Sequence, residues 1–361
     1  MRIALIATHH AEYAANLALA LARDHQVMLV LSRRNSQRQL SPEAFALLAG
    51  ALRLEIVPHH LAPLQPWIAW RCHRLVADFG AEVVHVQEHP TRAMGMLAAL
   101  LGGRVPLVAT VHDPMPHSGN DARAARPFAR WNGVLRQRSD RLVAHGKAMA
   151  DALAATGVPR SRIAAIDLGV LRFGQLAPPD RPPPTVDPGE LIFFGRMERY
   201  KGLDTLLAAN RLWREAGVPL RLLIAGDGPE LDVHAEALTA PNIRLRRGRV
   251  PQEELAALVA SAAAAILPYH DATQSGVVAS AFGAGRPVIC SAVGGLAEAV
   301  GDAGLLVPPR DPRALAAAGR RLVEEPGLLD ALARAAHDRA TGPLGWSDIA
   351  RRTASLYREI A

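Results

Sequence analysis

Short apolar runs of strand length alternate with helical stretches twice over in this chain, and a stretch with six prolines separates the two series. The first series opens with "RIALIA" (2–7), then a helical pattern with Ala15, Leu19 and Ala22 on one face, then "VMLVL" (27–31). That is a βαβ unit. Further strand-like runs follow at "LRLEIV" (52–57), "EVVHV" (82–86), "PLVATV" (106–111), "RLVAH" (141–145) and "RIAAI" (162–166). The stretch "GQLAPPDRPPPTVDPGE" (174–190) can continue neither a helix nor a central strand, and it reads as a stiff extended linker. Alternation restarts with "LIFF" (191–194), "LRLLIAG" (220–226), "NIRLR" (242–246), "AAIL" (264–267), "PVIC" (287–290) and "GLLV" (304–307). Such alternation predicts parallel sheets covered on both faces, and 361 residues exceed what one core usually supports. The expected fold class is therefore α/β: two doubly wound, Rossmann-like parallel-sheet domains facing across a cleft. The expected boundaries are 1–173 for the first domain, 174–190 for the linker, 191–345 for the second domain and 346–361 for a C-terminal helix. Ligands of such sheets sit beyond the carboxyl ends of the strands, so the cleft is the expected site.

Charge is unevenly shared. Residues 1–175 hold 20 Lys/Arg against 12 Asp/Glu, a balance of +8; residues 176–361 hold 21 against 22, a balance of −1. A basic half suits an anionic partner, whether nucleic acid, a membrane surface or a phosphorylated small molecule. The plain alternative is arginines on solvated helix faces. No RNA-module signature or aromatic-interleaved basic stripe supports nucleic acid. Cys72 and Cys290 stand far apart, which suits a reducing cytoplasm and indicates neither a zinc site nor a disulfide framework. The start "MRIALIATHH" has too short an apolar run for a signal peptide, and the longest apolar stretch (255–268) is too short to span a bilayer. The expected location is cytoplasmic, and the basic half leaves room for peripheral contact with the inner face of the plasma membrane.

Nearly every cation in the chain is arginine; the lysines are Lys147 and Lys201 alone. Lys201 stands in "GRMERYKGLD" (195–204), where the strand "LIFF" gives way to a helical pattern at Leu203, Leu206 and Leu207. Gly195 permits a turn, and Arg196 follows at once. A planar guanidinium and a compact ammonium beside a helix start make a diphosphate clamp, with charge-assisted bonds of roughly 1.5–3 kcal/mol each. A surface helix start with incidental charge is the alternative. In "PYHDATQSGVVASAFGAGRPVIC" (268–290), Ser275-Gly276 opens a helix whose free amides suit sugar hydroxyls or phosphate oxygens, unless Gly276 serves close packing only. "AVGGLAEAV" (292–300) reads as turn chemistry rather than ligand contact. His112 ends the strand "PLVATV", and the turn Thr8-His9-His10 lies on the same edge. That turn is no GxGxxG fingerprint, so a nicotinamide or flavin cofactor gains no support. The sequence has no Asp-x-Asp pair to hold Mg²⁺ against a nucleotide diphosphate. No metal or cofactor is expected, and protein cations would have to neutralise any leaving diphosphate.

Together these motifs resemble the family 4 group of retaining glycosyltransferases, which have the GT-B fold. "GRMERYKGLDTLLAA" looks like the family's G-R-x-x-x-x-K-G segment, and "LLIAGDGPE", with Gly226, like its next strand and turn. "GRVPQEELAALVASAAAAILP" is similar to the following loop, helix and strand. "DATQSGVVASAFGAGRPVICSAVGGLAE" is similar to the donor-sugar loop of the subset carrying S-G-V-V, while "VATVHDPMPH" and "VAHGKAMADAL" are similar to first-domain segments. The resemblance implies a metal-independent transfer from a nucleotide-diphosphate-sugar donor to an acceptor bound by the first domain. It implies that Arg196 and Lys201 hold the diphosphate, that Gln274, Ser275, Gly276 and Val277 contact sugar or phosphate, and that Val250 lies by the base. Thr8, Gly195 and Gly226 join the donor side, His112 the reacting sugar. The family usually shows two glutamates eight positions apart across the donor loop. This chain departs from that pattern, with Asp271 or Ala272 at the first position and Ser280 at the second. The last stretch, by the same resemblance, crosses back onto the first domain. The acceptor left open is a lipid-linked or phosphorylated glycan precursor or a secondary metabolite. Rival readings are a sugar phosphorylase or nucleotide-sugar epimerase on the same fold, or a sugar-nucleotide-binding protein that has lost catalysis.

Overall fold

The computed structural model describes residues 1–58, 64–114, 126–176 and 186–361. Residues 177–185 of the proline-rich stretch and 115–117 of "HDPMPH" lie outside the described residues. The chain divides into two compact units: Met1–Gly169 with Gly174–Ala177 and Leu344–Ala361, and Val170–Phe173 with Pro178–Pro343.

In the first unit the elements run β1 (Arg2–Ala7), α1 (Ala11–Leu21), β2 (Gln26–Ser32), α2 (Arg33–Gln39), α3 (Pro42–Ala51), β3 (Arg53–Val57), α4 (Gln65–Phe79), β4 (Val83–Gln87), α5 (Arg92–Leu101), β5 (Leu107–Val111), α6 (Ala129–Arg138), β6 (Arg141–Ala144), α7 (Lys147–Ala155) and β7 (Ile163–Ala165). Its strands form one parallel sheet in the order β3-β2-β1-β4-β5-β6-β7. The order reverses between β1 and β4, so the turns after those strands diverge to opposite faces and leave a crevice at the carboxyl edge. Central strands read as unbroken buried runs; all five residues of β4 and of β5 are buried. One face of this sheet packs Ala4, Ile6, Val84 and Val86 against Ile68, Cys72 and Leu75 of α4 and Met94 and Leu97 of α5.

In the second unit the elements run β8 (Glu190–Arg196), α8 (Leu203–Glu215), β9 (Arg221–Asp227), α9 (Glu230–Val233), β10 (Ile243–Arg247), α10 (Gln252–Ser261), β11 (Ala264–Leu267), α11 (Gly276–Gly283), β12 (Val288–Ser291), α12 (Leu296–Val300), β13 (Gly304–Val307), α13 (Pro312–Glu324) and α14 (Leu328–Thr341). Its sheet is also wholly parallel, in the order β10-β9-β8-β11-β12-β13, and its order reverses between β8 and β11. Trp213 of α8 is buried and its indole N–H donates to the Ala316 carbonyl of α13 (2.8 Å), tying together the two helices on that face.

The final helix, α15 (Trp346–Arg358), belongs to the first unit. It lies against α1, and this explains a departure from the sequence pattern. Ala15, Leu19 and Ala22 suggest a single apolar face, whereas α1 is buried at Ala11 through Ala18 and at Leu21, with Glu12 and Asn16 included. A helix sandwiched between a sheet and another helix has little solvated surface, so a one-sided periodicity under-reads it. Arg352 of α15 pairs with Asp167 (2.7 Å) and donates to the Ala165 carbonyl (2.7 Å), and the Tyr357 hydroxyl meets His85 Nδ1 of β4 at 2.6 Å.

Candidate active site

In the second unit the carboxyl ends of β8 and β9 run side by side, with Gly195 opposite Gly226 and Arg196 opposite Asp227. Gly195 (φ 112°) lacks the Cβ that would stand 3.1 Å from the Lys201 Nζ, so the ammonium can lie over the end of β8. Lys201 itself ends a short 3₁₀ turn, Arg199–Lys201, and is only 7% exposed. Its Nζ lies 5.1 Å from the ring centroid of Tyr269, a cation–π distance. Tyr269 is buried just after β11, and burial raises the pKa of its hydroxyl, with Ser275 and the Arg196 charge pulling the other way. Arg196 is exposed at the strand end. Two cations from one segment are thus organised about a tyrosine of the neighbouring strand's loop. Sequence reading passed Tyr269 over, because its relation to Lys201 comes from the pairing of β8 with β11 and not from spacing.

The donor-loop residues gather on the same edge. Ser275 caps α11 with its Oγ accepting from the Val277 amide (3.2 Å), and Gln274 Oε1 accepts from the Ser275 amide (2.9 Å). A Val277 methyl lies 3.9 Å from the position a Gly195 Cβ would take. Behind the loop, Gly294 (φ 52°) turns so tightly that a Cβ there would overlap the Ala272 carbonyl, and the Gly295 amide donates to Thr273 O (3.0 Å). The motif "VGG" therefore braces the loop, as turn chemistry. Gly276 is exposed and Ser280 half-buried one turn into α11; Asp271 is exposed in the loop after β11. Val250 stands beyond β10, two strands away from β8. The structure thus brings together Gly195, Lys201, Gln274, Ser275 and Val277 with Gly226 alongside, and leaves Val250 two strands away.

At the first unit's sheet edge the striking chemistry is imidazole. Thr8, 1% exposed, ends β1 with its carbonyl accepting from Ser32 Oγ (2.8 Å). His10 follows at φ 57°, a left-handed conformation that a non-glycine residue adopts only when held there. It stacks on His112 (centroids 3.7 Å, planes 16° apart), and His9 stacks on His89 (4.0 Å). His112 is gripped at both nitrogens, Nε2 by Gln87 Oε1 (2.9 Å) and Nδ1 by His145 Nε2 (3.1 Å). Burial, then the neighbouring rings, push the pKa of His112 well below 6.5; burial takes His145 down to about 4 and His85 to about 3. With His10 also pushed well below 6.5 by burial and then by its neighbouring rings, His10, His85, His112 and His145 are neutral at pH 7. Beneath them, Arg136 forks onto Glu88 (2.6 and 2.8 Å) and reaches the carbonyls of Asp113 and Pro114 (3.3 Å each), fixing the start of the loop after His112. Burial raises the Glu88 pKa, with the Arg136 hydrogen bond and charge opposing it. His112 was legible as a strand-end histidine; His89, His145 and Gln87 were not, because they come from two other strand ends, those of β4 and β6.

Comparison with known proteins decides what this pair of sheets is. A family model described as Glycosyltransferase Family 4 matches residues 10–170, and one described as Glycosyl transferases group 1 matches residues 188–325. The chain is 32% identical over 292 residues to glycogen synthase of Mycobacterium tuberculosis, covering 76% of this chain and 68% of that one. This chain is a family 4 glycosyltransferase. The glycosyltransferase is also 32% identical over 305 residues to D-inositol 3-phosphate glycosyltransferase 1 of Catenulispora acidiphila, covering 77% of this chain and 72% of the relative. Its fold is GT-B, and the crystal structure of Anabaena Alr3699/HepE in complex with UDP-glucose superimposes with a TM-score of 0.69 at 16% identity, over 99% of this chain and 100% of that one. The glycosyltransferase is a retaining enzyme that uses a nucleotide-sugar donor. Among the described residues no helix is long and apolar enough to cross a membrane.

Proposed function

We propose that this glycosyltransferase moves a hexose from a nucleoside diphosphate donor, without a metal ion, to an acceptor bound by the first unit. Arg196 and Lys201 receive the departing diphosphate. The observation that carries this reading is the burial of the Lys201 ammonium over Gly195 and the Tyr269 ring, beside the capped start of α11. An ammonium already fixed in that place costs little reorganisation when negative charge develops beside it.

In the proposed step the bond between the sugar's anomeric carbon and the diphosphate oxygen breaks first. Both electrons go to that oxygen, and the growing charge is met by Arg196, Lys201 and the Gly276 amide at the start of α11. The same oxygen then takes the proton of the acceptor hydroxyl, whose oxygen bonds to the anomeric carbon on the face just vacated. Products are the nucleoside diphosphate and a glycoside of unchanged anomeric configuration. His112, held at both ring nitrogens by Gln87 and His145, stands beside the reacting sugar and shapes its place. Thr8 and the backbones of Gly195 and Gly226 line the donor, Gln274 contacts its sugar or phosphate, Ser280 takes one ribose hydroxyl, Val250 lies by the base, and Asp271 substitutes for a longer carboxylate.

The test is donor turnover. Nucleotide-sugars of different base and sugar are screened by thermal shift, where a donor at 100 times its Kd stabilises by about 2.7 kcal/mol; the best is then assayed for nucleoside diphosphate release. Release that requires an acceptor supports transfer. Release without any acceptor, or donor binding with no release across an acceptor panel, overturns it.

A further inference from the structure

Two tryptophans are set out in water on one helix of the first unit. Trp67 is 44% and Trp70 52% exposed, whereas Trp213 and Trp346 are buried. Both belong to α4, whose buried residues Ile68, Ala69, Cys72, Leu75 and Val76 face the core. At 3.6 residues per turn, Trp67, Trp70, Arg71 and Arg74 fall on a single narrow stripe opposite that core face. Arg74 has a 58% exposed side chain and Arg71 a 42% exposed one. Their acidic neighbours, Asp78 at 3.9 Å and Glu55 at 4.0 Å, lie at the limit of ion pairing and are worth little in water. Leu64 (37% exposed) and the exposed Pro66 extend the apolar end of the stripe.

We propose that this stripe docks the protein on an anionic lipid surface, the indoles at the headgroup level and the two guanidinium groups on lipid phosphates. Indole is the side chain that prefers the boundary between hydrocarbon and water, and arginine forks onto phosphate. The +8 balance of residues 1–175 supplies the long-range attraction. A protein partner is the weaker reading, since two turns of a convex helix fall well short of the roughly 800 Å² that each side of a stable protein interface buries. The location is also apt. α4 starts at the carboxyl edge of the sheet, and Gln65 Oε1 in its first turn accepts from the Arg92 amide (2.6 Å), which opens α5 just beyond His89. Docking through Trp67 would bring the histidine edge towards lipid headgroups. The proposal does not depend on the transfer step above, because docking needs no donor.

The experiment is vesicle co-sedimentation of the full chain, without nucleotide. One set of vesicles is pure phosphatidylcholine, the other equal parts phosphatidylcholine and phosphatidylglycerol. Two double variants accompany it, Trp67→Ser with Trp70→Ser and Arg71→Gln with Arg74→Gln. Trp67, Trp70 and Arg74 are exposed and Arg71 half-buried, and an unchanged thermal melt verifies folding. The wild type is expected to pellet with the anionic vesicles and to stay in solution with the neutral ones. The arginine variant should bind about thirtyfold more weakly, and the tryptophan variant should lose quenching by brominated lipid. Failure of the wild type to bind anionic vesicles overturns the proposal, as does equal binding to both vesicle types. So does wild-type binding by both variants, or self-association through the tryptophans in place of lipid binding.

Discussion

Imidazoles so deeply placed make a demand on pH. His85 and His145 are 0% and 2% exposed, and their pKa values are depressed to about 3 and about 4, chiefly by burial. In the unfolded chain each would titrate near 6.5. Between those limits the unfolded state binds more protons, so stability is fully present above about pH 6.5 and falls as pH falls towards 4 and then 3. Each ring contributes a slope of up to about 1.4 kcal/mol per pH unit in that window. Thermal melts from pH 7.5 to 5, above the range where most carboxylates protonate, should show a declining midpoint; a flat profile would contradict the buried neutral rings. At this scale legibility was uneven. Lys201 was legible because it is one of two lysines and stands between Gly195 and a helix start. Tyr269, His145 and Gln87 carried no such mark: an aromatic and two polar residues at strand ends look like turn chemistry until the strand order brings them together.

Elements were more readable than their contacts. Continuous apolar runs marked β4 and β5 to within a residue, because a central parallel strand is buried on both faces. The start of α11 at Ser275-Gly276 was likewise visible, since a serine whose Oγ accepts a backbone N–H is a cap signal in the sequence itself. What the last helix touches was not visible in its own periodicity. His85 of β4 has Tyr357 of α15 at one nitrogen and Thr110 of β5 at the other (2.6 and 2.7 Å), a polar chain crossing the layer between sheet and helices. Tyr357→Phe keeps the ring and deletes the hydroxyl, leaving His85 Nδ1 buried without its partner. The expected loss is about 1–3 kcal/mol of stability, measured by denaturant titration. A change below a few tenths would show that the Tyr357–His85 bond adds nothing to the hold on α15.

For the whole molecule, the two sheets share a design but divide the chemistry. Each is parallel and reverses its strand order once, and each gathers its candidate site residues at the carboxyl edge. The second unit concentrates charge there, with Arg196 and Lys201 about Tyr269. The first unit presents stacked imidazoles, His10 on His112 and His9 on His89. α/β class and two-fold repetition were legible because β–α alternation imposes them. Donor identity was not, since a base can be recognised by backbone and shape, which no side-chain pattern encodes. The most direct measurement for the central claim is the Lys201→Ala variant, followed by donor affinity and by single-turnover release of nucleoside diphosphate with acceptor present. If the ammonium acts on charge that develops as the sugar–phosphate bond breaks, turnover should fall about 10²–10³-fold, with a smaller loss of donor affinity and an unchanged melting profile. Turnover equal to that of the wild type, with the fold intact, would contradict it.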